Sequence, residues 1–190
     1  MTYSRTTQLL TAPIALALTV ALGAAMPSHA SSTTKTDPRN DVFLASVGGG
    51  IDLAAVQLKT LNRKKSIRVT FRLHSLALER SLEKPGGMSA QFIKNKRIWR
   101  VVRVFTQDGA LRSEVCSESR GAEFSGPRNC SRLPVIQVDA KTYRAVVKLK
   151  QVREGAKVLQ WTAGSIDLSN GDPVSDQLTA KKGEPFVWRL

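Results

Sequence analysis

Short runs in which apolar and polar residues alternate recur along much of the chain. The clearest spans Ser66 to Leu73, where every second residue is apolar and the residues between them are Arg or Thr. A similar alternation runs from Thr142 to Lys150. A period of two places neighbouring side chains on opposite faces of a β-strand. These segments therefore predict strands with one buried face and one face in solvent.

Several other segments have the length and composition of strands, and turn residues separate them. Asp108-Gly109 between two of them is a strong hairpin signal. The polar segments Ser31–Thr36 and Ser165–Pro185 are predicted to be a lead-in and a turn-rich tail. The further predicted strands are Ile51–Leu58, Met88–Lys94, Ile98–Gln107, Leu111–Cys116, Val135–Val138, Val158–Gly164 and Phe186–Leu190.

The sequence has no long segment with a helical period of 3.6 residues. Eight to ten short strands with Gly, Pro, Asn and Asp turns predict an all-β domain. We predict a single antiparallel β-sandwich, with a β-barrel as the alternative.

Residues 1–30 have the pattern of a cleavable signal peptide. Arg5 lies in a polar start, an apolar run extends from Leu9 to Ala25, and Ser28 and Ala30 supply the small-x-small cleavage motif. The apolar run is at the low edge of what spans a bilayer, so cleavage is favoured over membrane anchoring. The prediction is a secreted chain whose mature domain is 31–190, with no transmembrane segment.

The mature domain is strongly basic. The chain has 29 Lys and Arg against 15 Asp and Glu, and loss of residues 1–30 removes only Arg5, which lowers the formal charge from +14 to +13. Such a balance favours attraction to polyanions, although it also serves solubility alone. Outside a cell the candidate partners are anionic wall polymers, acidic polysaccharides, lipid headgroups and released nucleic acid, and nothing indicates a specific nucleic acid.

The mature domain contains two cysteines, Cys116 and Cys130. An even count in an exported chain predicts a disulfide. Two free thiols are the alternative. A zinc site at this pair is disfavoured because His74 is the only mature histidine.

Basic residues recur at the polar positions of the predicted strands. If these strands are neighbours, their long side chains form a cationic sheet face, and Arg forks bind phosphate and carboxylate in bidentate fashion. The alternative is that solvent-facing strand positions simply prefer long polar side chains. The predicted polyanion-binding residues are Arg68, Arg72, Arg100, Arg103, Arg144, Lys148 and Lys150.

Acidic residues near the start of the mature domain form a second candidate site. Asp37, Asp41 and Asp52 are predicted to converge on a structural calcium ion, because hard cations take several carboxylate oxygens. The alternative is an Asx-turn at Asp37 with the other two in solvent. A later group of Asp167, Asp172 and Asp176 is interpreted as turn chemistry, because it lacks the Glu of an EF-hand loop.

Three segments follow one another near the start of the mature domain: Asp37-Pro38-Arg39-Asn40-Asp41-Val42, Ile51-Asp52-Leu53-Ala54-Ala55-Val56, and the alternating strand from Ile67. This order resembles the start of DOMON and family-nine carbohydrate-binding modules. The resemblance also includes Asp172-Pro173 and Trp188 near the end of the chain. It implies a β-sandwich in which the opening acidic residues hold calcium and a sheet face binds sugar or haem.

The haem ligands that the resemblance implies would have to be Met88 and His74, and their spacing does not support them. Sugar binding needs exposed aromatic rings, whereas Trp99, Trp161 and Trp188 lie in apolar strand settings and are predicted to be core.

No catalytic signature stands out. A Ser-His-Asp arrangement would have to use His74, and the chain has no Gly-x-Ser-x-Gly motif. His74 follows the alternating strand on the solvent-facing parity and is interpreted as a surface histidine. The leading hypothesis is a secreted, non-enzymatic protein that binds an anionic surface or polymer. The alternatives are a calcium-stabilised carbohydrate-binding module and an enzyme of unknown class.

Overall fold

The computed structural model describes residues 30–39, 41–42, 50–61, 65–77, 79–94, 98–119, 128–153, 155–169 and 173–190. The predicted signal peptide lies outside these residues except for Ala30. The strands, in chain order, are β1 (Ser32–Thr36), β2 (Leu53–Leu61), β3 (Ser66–Leu73), β4 (Gly87–Ile93), β5 (Ile98–Gln107), β6 (Ala110–Ser119), β7 (Arg128–Arg132), β8 (Val135–Asp139), β9 (Thr142–Lys148), β10 (Val158–Asp167), β11 (Val174–Leu178) and β12 (Phe186–Arg189). A five-residue helix, α1 (Leu149–Arg153), follows β9, and 3₁₀ turns lie at Glu79–Leu82 and Lys181–Gly183.

The strands form two antiparallel sheets. The first has the order β1-β2-β3-β9-β8, and the second has the order β11-β10-β4-β5-β6-β7, with β12 also paired to β10. Residues from both sheets contribute to one buried apolar cluster between them. The prediction of an all-β sandwich is confirmed.

The core lies between the two sheets and uses alternate residues of each strand. On β3, Ile67, Val69 and Phe71 are fully buried, as the alternation predicts. Trp161 on β10 is the largest fully buried side chain, and its ring centroid lies 5.1 Å from that of Phe186. Burial of such aromatic and β-branched side chains is the main stabilising contribution in a sandwich of this kind.

Three strands were not predicted, namely β1, β7 and β11. The predicted lead-in Ser31–Thr36 is wrong, because Ser32–Thr36 is an edge strand paired with β2. Its sequence, Ser-Thr-Thr-Lys-Thr, has no apolar residue to signal a buried face. An edge strand needs few apolar residues, since it takes part in the sheet through backbone hydrogen bonds on one side only.

A hydrogen-bonded clasp joins the beginning of the domain to its end. The Ser31 hydroxyl donates to the carbonyl oxygen of Arg189 at 2.8 Å and accepts from Trp188 Nε1 at 3.0 Å. The Ser31 carbonyl oxygen accepts from the backbone N–H of Thr60 at 2.9 Å. The first residue after the predicted cleavage point is therefore part of the fold.

Two local predictions about β5 to β7 are confirmed. Asp108 and Gly109 form the hairpin turn between β5 and β6 with φ angles of 54° and 69°, the left-handed backbone of a type I′ turn. Cys116 on β6 and Cys130 on β7 are joined by a disulfide, with their Cα atoms 4.1 Å apart.

Candidate functional site

The outward face of the five-stranded sheet is strongly basic. On β3, the residues between the buried ones are Ser66, Arg68, Thr70 and Arg72, so these point away from the core. On β9, Tyr143, Ala145 and Val147 are buried, which turns the residues between them outward. We call the following set the cationic face: Lys59, Arg68, Arg72, Arg144 and Lys148.

Strand pairing brings the members of the cationic face together. Arg68 lies directly opposite Lys59 on one side, and Thr70 lies opposite Arg144 on the other. Ser66 lies opposite Lys148. The outward positions of β2, β3 and β9 carry no acidic side chain. The five cations therefore occupy neighbouring positions on one surface.

Thr70 shows how closely these side chains cover the sheet. It lies on the outward face, yet only 2% of it is exposed. Arg68 and Arg72 flank it along β3, and Arg144 is its partner on β9. Long Arg side chains lay their apolar stems along a surface while the guanidinium groups stay in solvent. The three arginines thus surround one buried threonine.

Among the described residues, no ion pair involves a member of the cationic face. The Nε atoms of Arg68 and Arg144 are buried and make no hydrogen bond. In the part of the chain that the structure describes, the ion pairs are Lys84–Glu114 and Arg103–Glu118, both in the other half of the sandwich. A guanidinium that has no carboxylate partner in the protein can pair with an external oxyanion through those of its N–H groups that solvent reaches.

Asp139, on the edge strand β8, is the acidic residue at the margin of this face. Hydrogen bonds from Lys141 and Thr142 lower its pKa, and the charge of Arg72 contributes less. The Lys141 backbone N–H donates to Asp139 Oδ1 at 2.8 Å. This carboxylate is thus engaged mainly by its own turn.

Four of the predicted polyanion-binding residues share the cationic face, and three do not. Arg100 and Arg103 are on β5 of the other sheet, and Arg103 Nη2 lies 2.6 Å from Glu118 Oε1. Lys59 was not predicted, although it continues the alternation of β2 one residue beyond the expected end of that strand.

Lys150 lies on α1, so the predicted strand Thr142–Lys150 is wrong at its end. The strand stops at Lys148, whose backbone N–H donates to Gln151 Oε1 at 3.2 Å. The helical turn that follows buries Val152 against the core. The sequence alternates through Leu149, and tertiary packing of the helical turn overrides that local pattern.

A cluster of carboxylates lies at one end of the sandwich. Oxygen atoms of Asp37, Asp41 and Asp176 lie within 4.8 Å of one another. Asp37 and Asp41 come together as predicted, and the third member is Asp176 on β11. Asp52 is buried close by, near enough for its charge to act on Asp37 and Asp176. We call Asp37, Asp41, Asp52 and Asp176 the acidic end.

The electrostatics of the acidic end are those of crowded negative charge. Burial and the neighbouring charges of Asp176, Asp41 and Asp52 raise the pKa of Asp37 to about 8. Burial also raises the pKa of Asp176. The Leu53 backbone N–H, which donates to Asp176 Oδ2 at 2.8 Å, lowers this pKa but does not outweigh burial. Asp37 Oδ2 is buried and makes no hydrogen bond. A proton or a cation would relieve this repulsion.

Asp167 differs from the acidic end in having its own donors. Burial would raise its pKa, but hydrogen bonds from Ser169, Ser81 and Gly50 outweigh burial and lower it. The Ser169 backbone N–H lies 2.8 Å from Asp167 Oδ1, an Asx-turn as predicted. Asp172 lies outside the described residues.

His74 is half-buried and held by the backbone beside the acidic end. Its Nε2 lies 3.1 Å from the carbonyl oxygen of Asp37, and its backbone N–H donates to the carbonyl oxygen of Asp52 at 3.0 Å. Its ring is thus engaged in fixing the end of β1 to the loop after β3.

The tryptophans do not form a platform for sugars on the cationic face. Trp161 and Trp188 are buried in the core, as predicted. Trp99 is half-buried and lies on the outward face of the seven-stranded sheet, opposite Glu118, so its prediction as core is wrong. Its neighbours at that end of β5 include the charged Glu118, which explains its incomplete burial.

Comparison with family models, with curated proteins and with solved structures finds no match to this chain. The resemblance to DOMON and family-nine carbohydrate-binding modules stays a prediction. No helix among the described residues has the length and apolar character needed to cross a bilayer.

Proposed function

We propose that this chain is a secreted, non-enzymatic protein that associates with an anionic polymer or surface through the cationic face. The observation that carries the proposal is the placement of five cations on one sheet face with no acidic side chain among them on β2, β3 and β9. Charges arranged in this way attract polyanions and donate bidentate hydrogen bonds to oxyanions.

The proposed location is outside the cell. The signal-peptide pattern of residues 1–30 supports it, and so does the disulfide between Cys116 and Cys130, since disulfides persist in oxidising compartments. The partners available there include anionic wall polymers, acidic polysaccharides and lipid headgroups.

Replacing four members of the cationic face is expected to abolish most binding to anionic material. The variant is Arg68→Gln, Arg72→Gln, Arg144→Gln and Lys148→Gln, and binding is measured as retention on a phosphocellulose resin over a salt gradient. Because each cation that neutralises a phosphate releases counterions, the variant should elute at clearly lower salt, with at least about tenfold weaker binding at low salt.

The matched control removes the same charge elsewhere, through Arg100→Gln, Lys150→Gln, Lys157→Gln and Lys181→Gln. It should elute close to the wild type. Equal weakening of both variants would show that net charge, rather than the cationic face, drives binding. Thermal melting of each variant confirms that the domain is folded.

A structural calcium ion at the acidic end is a second candidate, favoured by the convergence of Asp37, Asp41 and Asp176. Calcium takes several carboxylate oxygens, and the buried Asp37 Oδ2 without a hydrogen bond is a suitable ligand atom. The ion would stabilise the domain by holding the end of β1 to β11. This candidate concerns stability and is independent of the cationic face.

Calcium is expected to raise the melting temperature of the domain relative to a chelator. At 10 to 100 times the dissociation constant, binding should stabilise by about 1–3 kcal/mol, or about 3–10 °C for a domain of this size. Asp41→Asn should reduce the shift in melting temperature, because it removes one carboxylate of the cluster. Asp41 is exposed, so this substitution leaves the core intact. Asp139→Asn, an exposed substitution elsewhere, is the control. An unchanged melting temperature on calcium addition would exclude the site.

A further inference from the structure

Four cations alternate between β3 and β9 along the line where these strands pair. Arg68 lies opposite Val146, so Arg144 and Lys148, two residues to either side, are its diagonal neighbours. Arg72 lies opposite Thr142, so Arg144 is its diagonal neighbour as well. The order along the line is Lys148, Arg68, Arg144, Arg72. We call these four residues the cation ladder.

The spacing of the cation ladder is set by sheet geometry. Diagonal neighbours across an antiparallel pair are about 7–8 Å apart. Each step also advances two residues along the strands, which is about 7 Å. The four charges thus recur at a regular interval over about 20 Å. The outward residues between them, Thr70 and Val146, are uncharged.

In an extended polypeptide, the Cα atoms of residues i and i+2 are separated by six backbone bonds. A polymer that matches the cation ladder should therefore carry its charges at a similar interval. Phosphate groups joined through three-carbon units are also separated by six bonds, from one phosphorus to the next. An extended chain advances about 1.1–1.2 Å per bond, so such phosphates recur at about 7 Å. Each phosphodiester carries one negative charge. One phosphate can therefore face each cation in turn.

We infer that the cation ladder binds an extended linear polymer of phosphodiesters separated by three-carbon units, which lies along the β3–β9 pair. The inference rests on the proposed function and specifies its partner. Three of the four cations are arginines, whose forks fit phosphate oxygens, and none of the four takes part in an ion pair among the described residues. Thr70 and Val146 face the uncharged spacers.

An anionic bilayer is favoured less by the same observations. A bilayer presents headgroups over an area, whereas four of the five cations follow a single line. Lys59 is the member of the cationic face that lies off this line, opposite Arg68.

The test uses dye-labelled synthetic oligomers of 1,3-propanediol phosphate with two, four and eight phosphates, titrated with the disulfide-bonded domain and followed by fluorescence anisotropy. Affinity should rise steeply up to four phosphates and only slightly beyond. The slope of log K against log salt should reach about −3 for four contacts on a single chain. Oligomers with the same number of phosphates on twelve-carbon spacers should bind at least about tenfold more weakly, because about half of the ladder contacts are lost.

A position swap separates the cation ladder from the cationic face. Arg144→Val combined with Val146→Arg keeps the composition, the net charge and the face, but places the cation directly opposite Arg68 instead of diagonal to it. The swap should retain binding to phosphocellulose and lose at least about fivefold in affinity for the eight-phosphate oligomer, consistent with the loss of one contact. Arg100→Gln is the control and should change neither.

Several results would overturn the inference while leaving the proposed function in place. These are equal affinity for three- and twelve-carbon oligomers, equal affinity for a polyuronate of matched charge, tighter binding to single-stranded DNA of eight phosphates, which are also joined through three carbons, than to the eight-phosphate oligomer, and tighter binding to vesicles containing anionic phospholipid than to that oligomer. Retention of the four-residue Gln variant on phosphocellulose at the wild-type salt concentration would overturn both proposals.

Discussion

Lowering the pH from about 8 to about 5 in the presence of a chelator is expected to stabilise the folded domain by about 2 kcal/mol. The main group responsible is Asp37, whose pKa is raised from 3.8 to about 8 by burial and by the charges of Asp176, Asp41 and Asp52. Burial also raises the pKa of Asp176, which acts in the same direction. The folded state therefore holds a proton over a pH range in which the unfolded chain has lost it.

The direction follows from which state binds more protons. Between the unfolded pKa and the folded pKa of Asp37, the folded state is the more protonated one, so stability falls as the pH rises through this window. The whole shift corresponds to about 6 kcal/mol for a fully shielded group, and about 4 kcal/mol of this falls between pH 8 and pH 5. Asp37 is only half-buried, so solvent screening reduces the expected effect to about 2 kcal/mol. Asp167, whose pKa is lowered, acts in the opposite direction, but only at more acidic pH.

Urea unfolding at the two pH values measures the effect, and Asp37→Asn is the matched variant. An amide cannot ionise, so the variant should lose most of the pH dependence and should be more stable than the wild type at the higher pH. Saturating calcium should flatten the wild-type profile in the same way, since the cation replaces the proton. A wild type equally stable at both pH values in chelator would show that the carboxylates of the acidic end do not repel one another.

Reduction of the Cys116–Cys130 disulfide is expected to lower the free energy of unfolding by about 3 kcal/mol. The two cysteines are separated by 14 positions, and the disulfide restricts the unfolded chain by closing that loop. The corresponding fall in melting temperature is about 6–12 °C for a domain of this size. Melting with and without a reductant, on the same sample, measures it.

The double variant Cys116→Ala and Cys130→Ala is the control for reductant acting elsewhere. It should melt near the reduced wild type and should not respond to reductant. Binding by the cationic face should persist in the reduced, folded protein at low temperature, because the disulfide lies in the seven-stranded sheet. Equal melting temperatures for the reduced and oxidised proteins would show that the pairing of β6 with β7 closes this loop without the disulfide.

The sequence was most informative where burial and local pattern agree. On β3, alternate apolar residues of high β-propensity predicted both the strand and its outward arginines. On β5, the predicted bounds Ile98–Gln107 match the structure, because a hairpin turn with two positive φ angles ends the strand sharply.

The sequence was least informative where long-range pairing decides. The parity of Arg68 and Arg144 was evident within each strand, but the pairing of β3 with β9 was not, and it alone creates the cation ladder. Asp176 on β11 likewise comes close to Asp37, which follows β1, only through the tertiary fold. Its own neighbourhood in the sequence is indistinguishable from a turn-rich tail.

The clasp at Ser31 has a consequence for the order in which this chain folds. Its hydroxyl is engaged by Trp188 and Arg189, so this contact forms only when the last residues of the chain are present, whereas the pairing of β1 with β2 does not need them. Pairs such as β3 with β9 also join distant segments, and a fold of such high contact order forms slowly compared with a helical bundle. An N-terminal fragment therefore lacks the clasp, and the two ends of the domain join only after the whole chain is available.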